Sequence, residues 1–168
     1  ASYSLMRDAI EELPLDYFFY TEDKYSRMEE LYGANVPVIV KTLLKKPDIG
    51  QYPEEVRVSV KLFDDHLVLI QENGKEKAYK YGELIENWYG EIKINKSDTY
   101  QGEMPELLHI YFKNKDQVAG MYRGRIQVNL SQRFASVFNI SLVDAVPEKG
   151  EDVLNKLIEQ YNLQAVKE

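Results

Sequence analysis

The chain has 168 residues, 44% of them hydrophobic and 29% charged, with a net charge of −7 and no cysteine. These values suit one soluble domain, or a domain with an extension, long enough to bury a core without disulfides. They exclude thiol catalysis, iron–sulfur clusters and cysteine-based zinc sites, and they set the molecule as a whole against nucleic-acid phosphates and anionic lipid.

In chain order, "SLMRDAIEEL" reads as a short helix capped by Ser4, with Leu5, Ala9 and Leu13 on one face and Pro14 ending it. Thr21, with Glu22 and Asp23 behind it, resembles a helix start. Tyr25, Met28, Leu31 and Tyr32 follow at helical spacing up to Gly33, so a second helix is expected from about Glu22 to Tyr32. From Val36 the pattern turns to β. "VPVIVKTLL" favours a strand, "PDIGQYP" a loop, and "VRVSVKLF" alternates as a half-buried antiparallel strand. "HLVLIQ" and "KEKAYKY" follow as strands, joined through Asn73-Gly74, for which a type I′ turn is expected. Beyond them, "GELIENWYGEIKIN" carries Trp88 and Tyr89, "ELLHIYFK" reads as a strand, "NKD" turns the chain into "QVAGMYR", and "RIQVNL" alternates again. "SQRFASVFNISLV" fits a helix and a strand equally. "EDVLNKLIEQYNL" is an amphipathic helix with Val153, Leu154, Leu157, Ile158 and Tyr161 on one stripe, expected to pack on the sheet.

The motifs that carry chemistry are mostly missing. There is no phosphate-cradling glycine loop, no GxSxG and no HExxH. The cluster Asp64-Asp65-His66 sits between two β-rich runs and reads as a turn, since Asp bonds its own downstream backbone there. Neighbouring strand residues point to opposite faces, so Asp65 and His66 are not expected to converge on a metal. His109 stands mid-strand, and the pairs Glu11-Glu12, Glu29-Glu30 and Glu54-Glu55 diverge as solvated faces. Neither catalysis nor a cofactor is expected. Two stretches qualify as binding surfaces. One is the aromatic run Tyr17, Phe18, Phe19 and Tyr20. The other is the basic hairpin with Lys75, Lys77 and Lys80, to which Arg123, Arg125 and Arg133 add charge later in the chain.

Between Val36 and Leu163 the order of elements resembles pleckstrin-homology-like domains of the PH/GRAM type, on the meander "VRVSVKLFDDHLVLIQENGKEKAYKY", the later strands and the closing helix. The resemblance implies a bent antiparallel barrel capped at one end by the C-terminal helix. That family often carries a tryptophan in the closing helix, whereas the single tryptophan here is Trp88. Members that bind phosphoinositides place basic residues at the first hairpin. That position holds Asp64-Asp65 here, or Asn73-Gly74-Lys75 on another count of strands.

The expectation is therefore an α+β fold: a mainly antiparallel bent sheet or PH-like barrel, with two N-terminal helices and a C-terminal amphipathic helix. It divides into a helical extension over 1–35 and a PH-like domain over 36–168. The expected function is a non-enzymatic interaction domain for a protein or peptide, with no nucleic acid and no stable membrane binding. The alternatives are a small-molecule or lipid-binding barrel with a cavity, with or without catalysis, and a structural subunit of an assembly. A cytoplasmic location is expected, because the opening "ASYSLMRDAI" lacks the basic segment and apolar core of a leader; a leader already removed stays open.

Overall fold

The structure, a computed structural model, describes residues 3–45, 56–87, 90–131 and 137–167. The chain forms two compact units, one from Tyr17 to Lys113 and one from residues 1–16 together with 114–168.

In the first unit the aromatic run builds a strand. β1 (Tyr17–Glu22) turns into β2 (Met28–Leu31), and the two pair antiparallel with Phe19 opposite Leu31 and Glu22 opposite Met28. The helix expected over Glu22–Tyr32 is thus a hairpin. Aromatic and β-branched side chains favour the pleated surface, and Asp23 closes the turn. Its Oδ1 accepts from the backbone N–H groups of Tyr25 (2.8 Å) and Arg27 (2.9 Å), and its Oδ2 from Arg27 Nε (2.9 Å). Ser26 sits at φ 60°, a left-handed conformation that these bonds hold in place.

After a 3-10 turn (Gly33–Asn35) come β3 (Val38–Lys45), β4 (Val56–Leu62), β5 (His66–Ile70), β6 (Glu76–Lys80), β7 (Leu84–Asn87), β8 (Gly90–Lys96) and β9 (Leu107–Phe112). They form two antiparallel sheets, ordered β2-β1-β9-β4-β5-β6 and β3-β8-β7. The alternation of "VRVSVKL" appears as strict burial of Val56, Val58, Val60 and Leu62. These pack with Leu67, Leu69, Leu108 and Ile110 of their own sheet and with Val38, Ile85, Ile92 and Ile94 of the other, so one core lies between the sheets. The β5–β6 connection differs from the expected type I′ turn. Gly74 N–H closes a turn on the Gln71 carbonyl and only Gly74 takes a positive φ, 79°, as a three-residue loop does, whereas a type I′ turn needs a positive φ at Asn73 as well.

The second unit contains α1 (Tyr3–Glu11), α2 (Lys115–Arg125), β10 (Ile126–Leu130), β11 (Phe138–Leu142) and α3 (Pro147–Lys167). Helix α2 replaces the non-helical reading of "NKD" and "QVAGMYR". Asn114 accepts from the Gln117 N–H at 2.7 Å, and the Gln117 side chain accepts from the Asn114 N–H at 3.3 Å, a reciprocal capping box. Leu5, Met6, Ala9 and Ile10 of α1 are buried, as are Val118, Ala119 and Tyr122 of α2 and Val153 and Leu157 of α3. Helix α3 finds its apolar partner in α1, where a sheet was expected. Ion pairs and caps fasten the unit. Lys115 Nζ donates to the Ile10 carbonyl (3.2 Å) and to that of Leu13, closing the end of α1. Asp144 is buried with Lys149 (3.6 Å), and accepts from the Tyr122 hydroxyl (2.5 Å) and the Val146 N–H (2.9 Å).

The expected architecture is therefore corrected. Among the described residues there are three α-helices, only one of them N-terminal, and eleven strands in three separate antiparallel sheets; no sheet closes into a barrel. No described helix is long and apolar enough to cross a membrane. Trp88, Tyr89, Glu54-Glu55, Arg133 and the "PDIGQYP" loop lie outside the described residues, as does part of the ambiguous 131–143 segment.

Candidate functional site

Tyr17, Phe18, Phe19 and Tyr20 occupy β1, paired on both sides by β2 and β9. Tyr17 and Phe19 pack against the core, Phe18 is 4% exposed under the Lys113 ammonium, and the half-buried Tyr20 donates to Glu30 at 3.1 Å. The lysines lie at the opposite edge of the same sheet. Lys75, Lys77 and Lys80 are all exposed, but alternation along β6 turns Lys77, whose ammonium lies over the Tyr79 ring, away from the face of Lys80. Arg123 and Arg125 belong to α2, in the other unit.

The Asp64–Asp65 segment is a turn between β4 and β5, closed by Phe63 N–H donating to the His66 carbonyl (3.0 Å). The side chains of Asp65 and His66 do meet, at 2.6 Å, because His66 stacks on the Phe63 ring at the turn. That hydrogen bond from His66 holds the Asp65 carboxyl below its ordinary value. Among the described residues no three His, Asp or Glu side chains converge as a metal site would require.

A site that sequence reading missed crosses the outer face of the six-stranded sheet. One rung runs Glu30, Tyr20, His109, Ser59, Ile70, Glu76, each opposite the next on the neighbouring strand. Ser59 Oγ lies 2.7 Å from His109 Nδ1, and His109 Nε2 lies 2.8 Å from Glu22 Oε2, two residues along β1 from Tyr20. His109 is only 6% exposed. A carboxylate only accepts, so Nε2 carries the proton, and in the neutral ring Nδ1 then accepts from the Ser59 hydroxyl. Arg57 stands two residues before Ser59 on the same face, exposed, with no hydrogen bond or ion pair among the described residues. Only the outward position of His109 was readable in advance. Its partners depend on strand order, and Glu22 had been assigned to a helix.

A cleft of about 300 Å³ lies at one end of β4 and β5, lined by Arg57, Val58, Leu69, Ile70, Gln71, Glu72, Asn73 and Asn87.

The third surface is the β10–β11 hairpin. Its register puts Ile126 opposite Leu142, Val128 opposite Ile140 and Leu130 opposite Phe138 on one face, with Gln127, Asn129, Asn139 and Ser141 on the other. The apolar face is exposed, increasingly so toward the tip, where Leu130 is 59% and Phe138 58% accessible. Neither strand carries a charge. The chain matches no protein-family model and no curated protein sequence.

Proposed function

We propose that this chain is an interaction domain that binds a protein partner, and that the partner covers the apolar face of the β10–β11 hairpin. The observation that supports this reading is the exposure of Val128, Leu130, Phe138 and Ile140 on one uncharged face. A two-stranded hairpin is marginal in water without a covering layer. Burying an apolar side chain of this size is worth about 1.5–3 kcal/mol, so covering four half-exposed ones supplies a substantial driving force. Because neither strand has a charge, the matching surface is an apolar patch of a folded protein rather than a basic or acidic one. The aromatic run in β1 serves the core in this account.

The experiment is site-specific photo-crosslinking in the producing cells, with a benzophenone side chain placed in turn at positions 130, 138, 129 and 139. Discrete adducts from 130 and 138, and not from 129 and 139, are the expected result. An adduct of twice the chain's mass identifies the partner as a second copy. No discrete adduct, or equal yields from both faces, overturns the reading.

The cleft beside Arg57 favours a second reading, a small-molecule site, since its 300 Å³ is at the lower end of ligand pockets.

A further inference from the structure

We infer that Ser59 is an activated nucleophile, with His109 as its general base and Glu22 as the residue that positions His109, acting on small carboxylic esters at the outer face of the six-stranded sheet. The inference goes beyond the docking role and lies in the other unit, so neither experiment decides the other.

The geometry has the three parts that acyl transfer needs. Ser59 and His109 are cross-strand partners in mid-sheet, so the 2.7 Å contact is held by the β4–β9 ladder and not by a mobile loop. His109 is anchored at its far nitrogen by Glu22, at 2.8 Å, which selects the tautomer whose near nitrogen accepts the serine proton. The ring is used in the opposite sense to the chymotrypsin arrangement, with Nδ1 toward the serine; either imidazole nitrogen is competent as a base. The third part is stabilisation of the developing oxyanion. Ser59 lies in a strand paired on both sides, so its main chain offers no donor. That role falls to Arg57. Its Cα stands about 6.6 Å from that of Ser59 on the same face, and its guanidinium extends far enough to reach the oxyanion on an ester carbon bonded to Ser59 Oγ. Ile70, opposite Ser59 on the other side, offers the apolar contact for a short acyl chain.

The chemistry balances without a cofactor. Ser59 Oγ bonds to the ester carbon while its proton passes to His109 Nδ1. The C–O bond to the alcohol breaks, and the alkoxide leaves with that proton. Water then attacks the acyl-serine, giving its proton to His109, and the carboxylic acid departs as Ser59 recovers the proton. Ser59 is half-buried and His109 nearly covered, so only a small ester can approach the pair, which makes slow turnover the expectation.

The test uses the full chain with a fluorophosphonate probe and p-nitrophenyl acetate. A single adduct mapped to Ser59 is expected, absent in Ser59→Ala and about a hundredfold slower in His109→Gln. Arg57→Met should slow ester turnover more than it slows probe labelling. Because His109→Gln could unfold the sheet, a second measurement is independent of it. The chain has no cysteine, so Ser59→Cys creates a unique thiol, and its alkylation by iodoacetamide is compared with that of Ala78→Cys, an exposed strand position. Faster alkylation of Ser59→Cys, about tenfold or more, supports activation by His109. Absence of a Ser59 adduct, together with equal alkylation of the two thiols, reduces the cluster to a structural hydrogen-bond chain and overturns the inference.

Discussion

Asp23 shows how much one side chain decides. Its carboxylate accepts two backbone N–H groups and the Arg27 guanidinium, and so bends the chain between β1 and β2 where helix-like spacing would have carried it straight on. The backbone N–H of Arg27 above all holds its carboxyl below the ordinary 3.8, with Tyr25 N–H and the Arg27 side chain adding to the effect against the cost of desolvation. A carboxyl depressed in the folded state contributes stability that is fully present above 3.8 and disappears as pH falls through the lowered folded value. Thermal midpoints of the wild type and Asp23→Ala, measured from about pH 6 to about pH 2, should therefore differ most at the upper end and converge at the lower. Parallel curves would show that the turn does not depend on the ionised carboxylate. The signal was present in the sequence as an Asp four residues before an Arg, but the same residues satisfy a helix N-terminus, and only pairing with β9 decides between the two. His109 is a similar case. Its outward face was readable from "LLHIYF", whereas Ser59, fifty positions away, becomes its partner through a strand order that no local pattern encodes.

At the scale of elements, legibility followed locality. The β4–β5 and β5–β6 hairpins, with their alternating burial and an Asn-Gly turn, depend on contacts between sequence neighbours and were readable. Helix α2 was readable in principle, since "NKDQ" is a capping-box pattern, but Gly120 and Gly124 dilute its helical propensity and hide the period. Its dependence on the cap follows from that weakness. Asn114→Ala should cost about 0.5–2 kcal/mol, visible as a lower urea midpoint, and Asn114→Ser should restore most of it. An unchanged midpoint in Asn114→Ala would mean that burial of Val118, Ala119 and Tyr122 alone holds the helix. For α3 the sequence announced the helix but not its partner. Of the predicted stripe, Val153 and Leu157 are buried, Leu154 is half-buried, and Ile158 and Tyr161 stay exposed, with α1 as the packing partner, because an amphipathic stripe specifies burial without specifying against what.

For the whole molecule, the net charge of −7 sets the long-range behaviour. Each lysine close to an anionic bilayer contributes about 1 kcal/mol, so Lys75, Lys77 and Lys80 could together supply roughly 3. The structure weakens even that sum. Lys77 and Lys80 face opposite sides of β6, and Glu72, Glu76 and Glu83 share the same edge within a Debye length of about 8 Å. Sedimentation with phosphatidylserine vesicles at physiological salt should leave the protein in the supernatant. Salt-sensitive pelleting, lost when the three lysines are replaced by glutamate, would show instead that the β6 edge is a lipid-binding surface.

The uncharged β10–β11 hairpin has a further consequence during synthesis, before any partner is at hand. Natural strands of high β-propensity are usually flanked or interrupted by gatekeeper charges that keep unfolded copies from stacking on one another. Neither "IQVNL" nor "FNISL" is interrupted by a charge or a proline, although Arg125 stands directly before the first, so the interior of each has the composition of a cross-β segment. While the chain is still unfolded, these two stretches compete between pairing with each other and pairing with the same stretch of a neighbouring copy. The first route is intramolecular and the second rises with concentration, so the yield of soluble protein falls as expression rises. A lysine at Asn129 or Asn139, on the face that lacks the apolar row, would shift that competition without touching the docking surface.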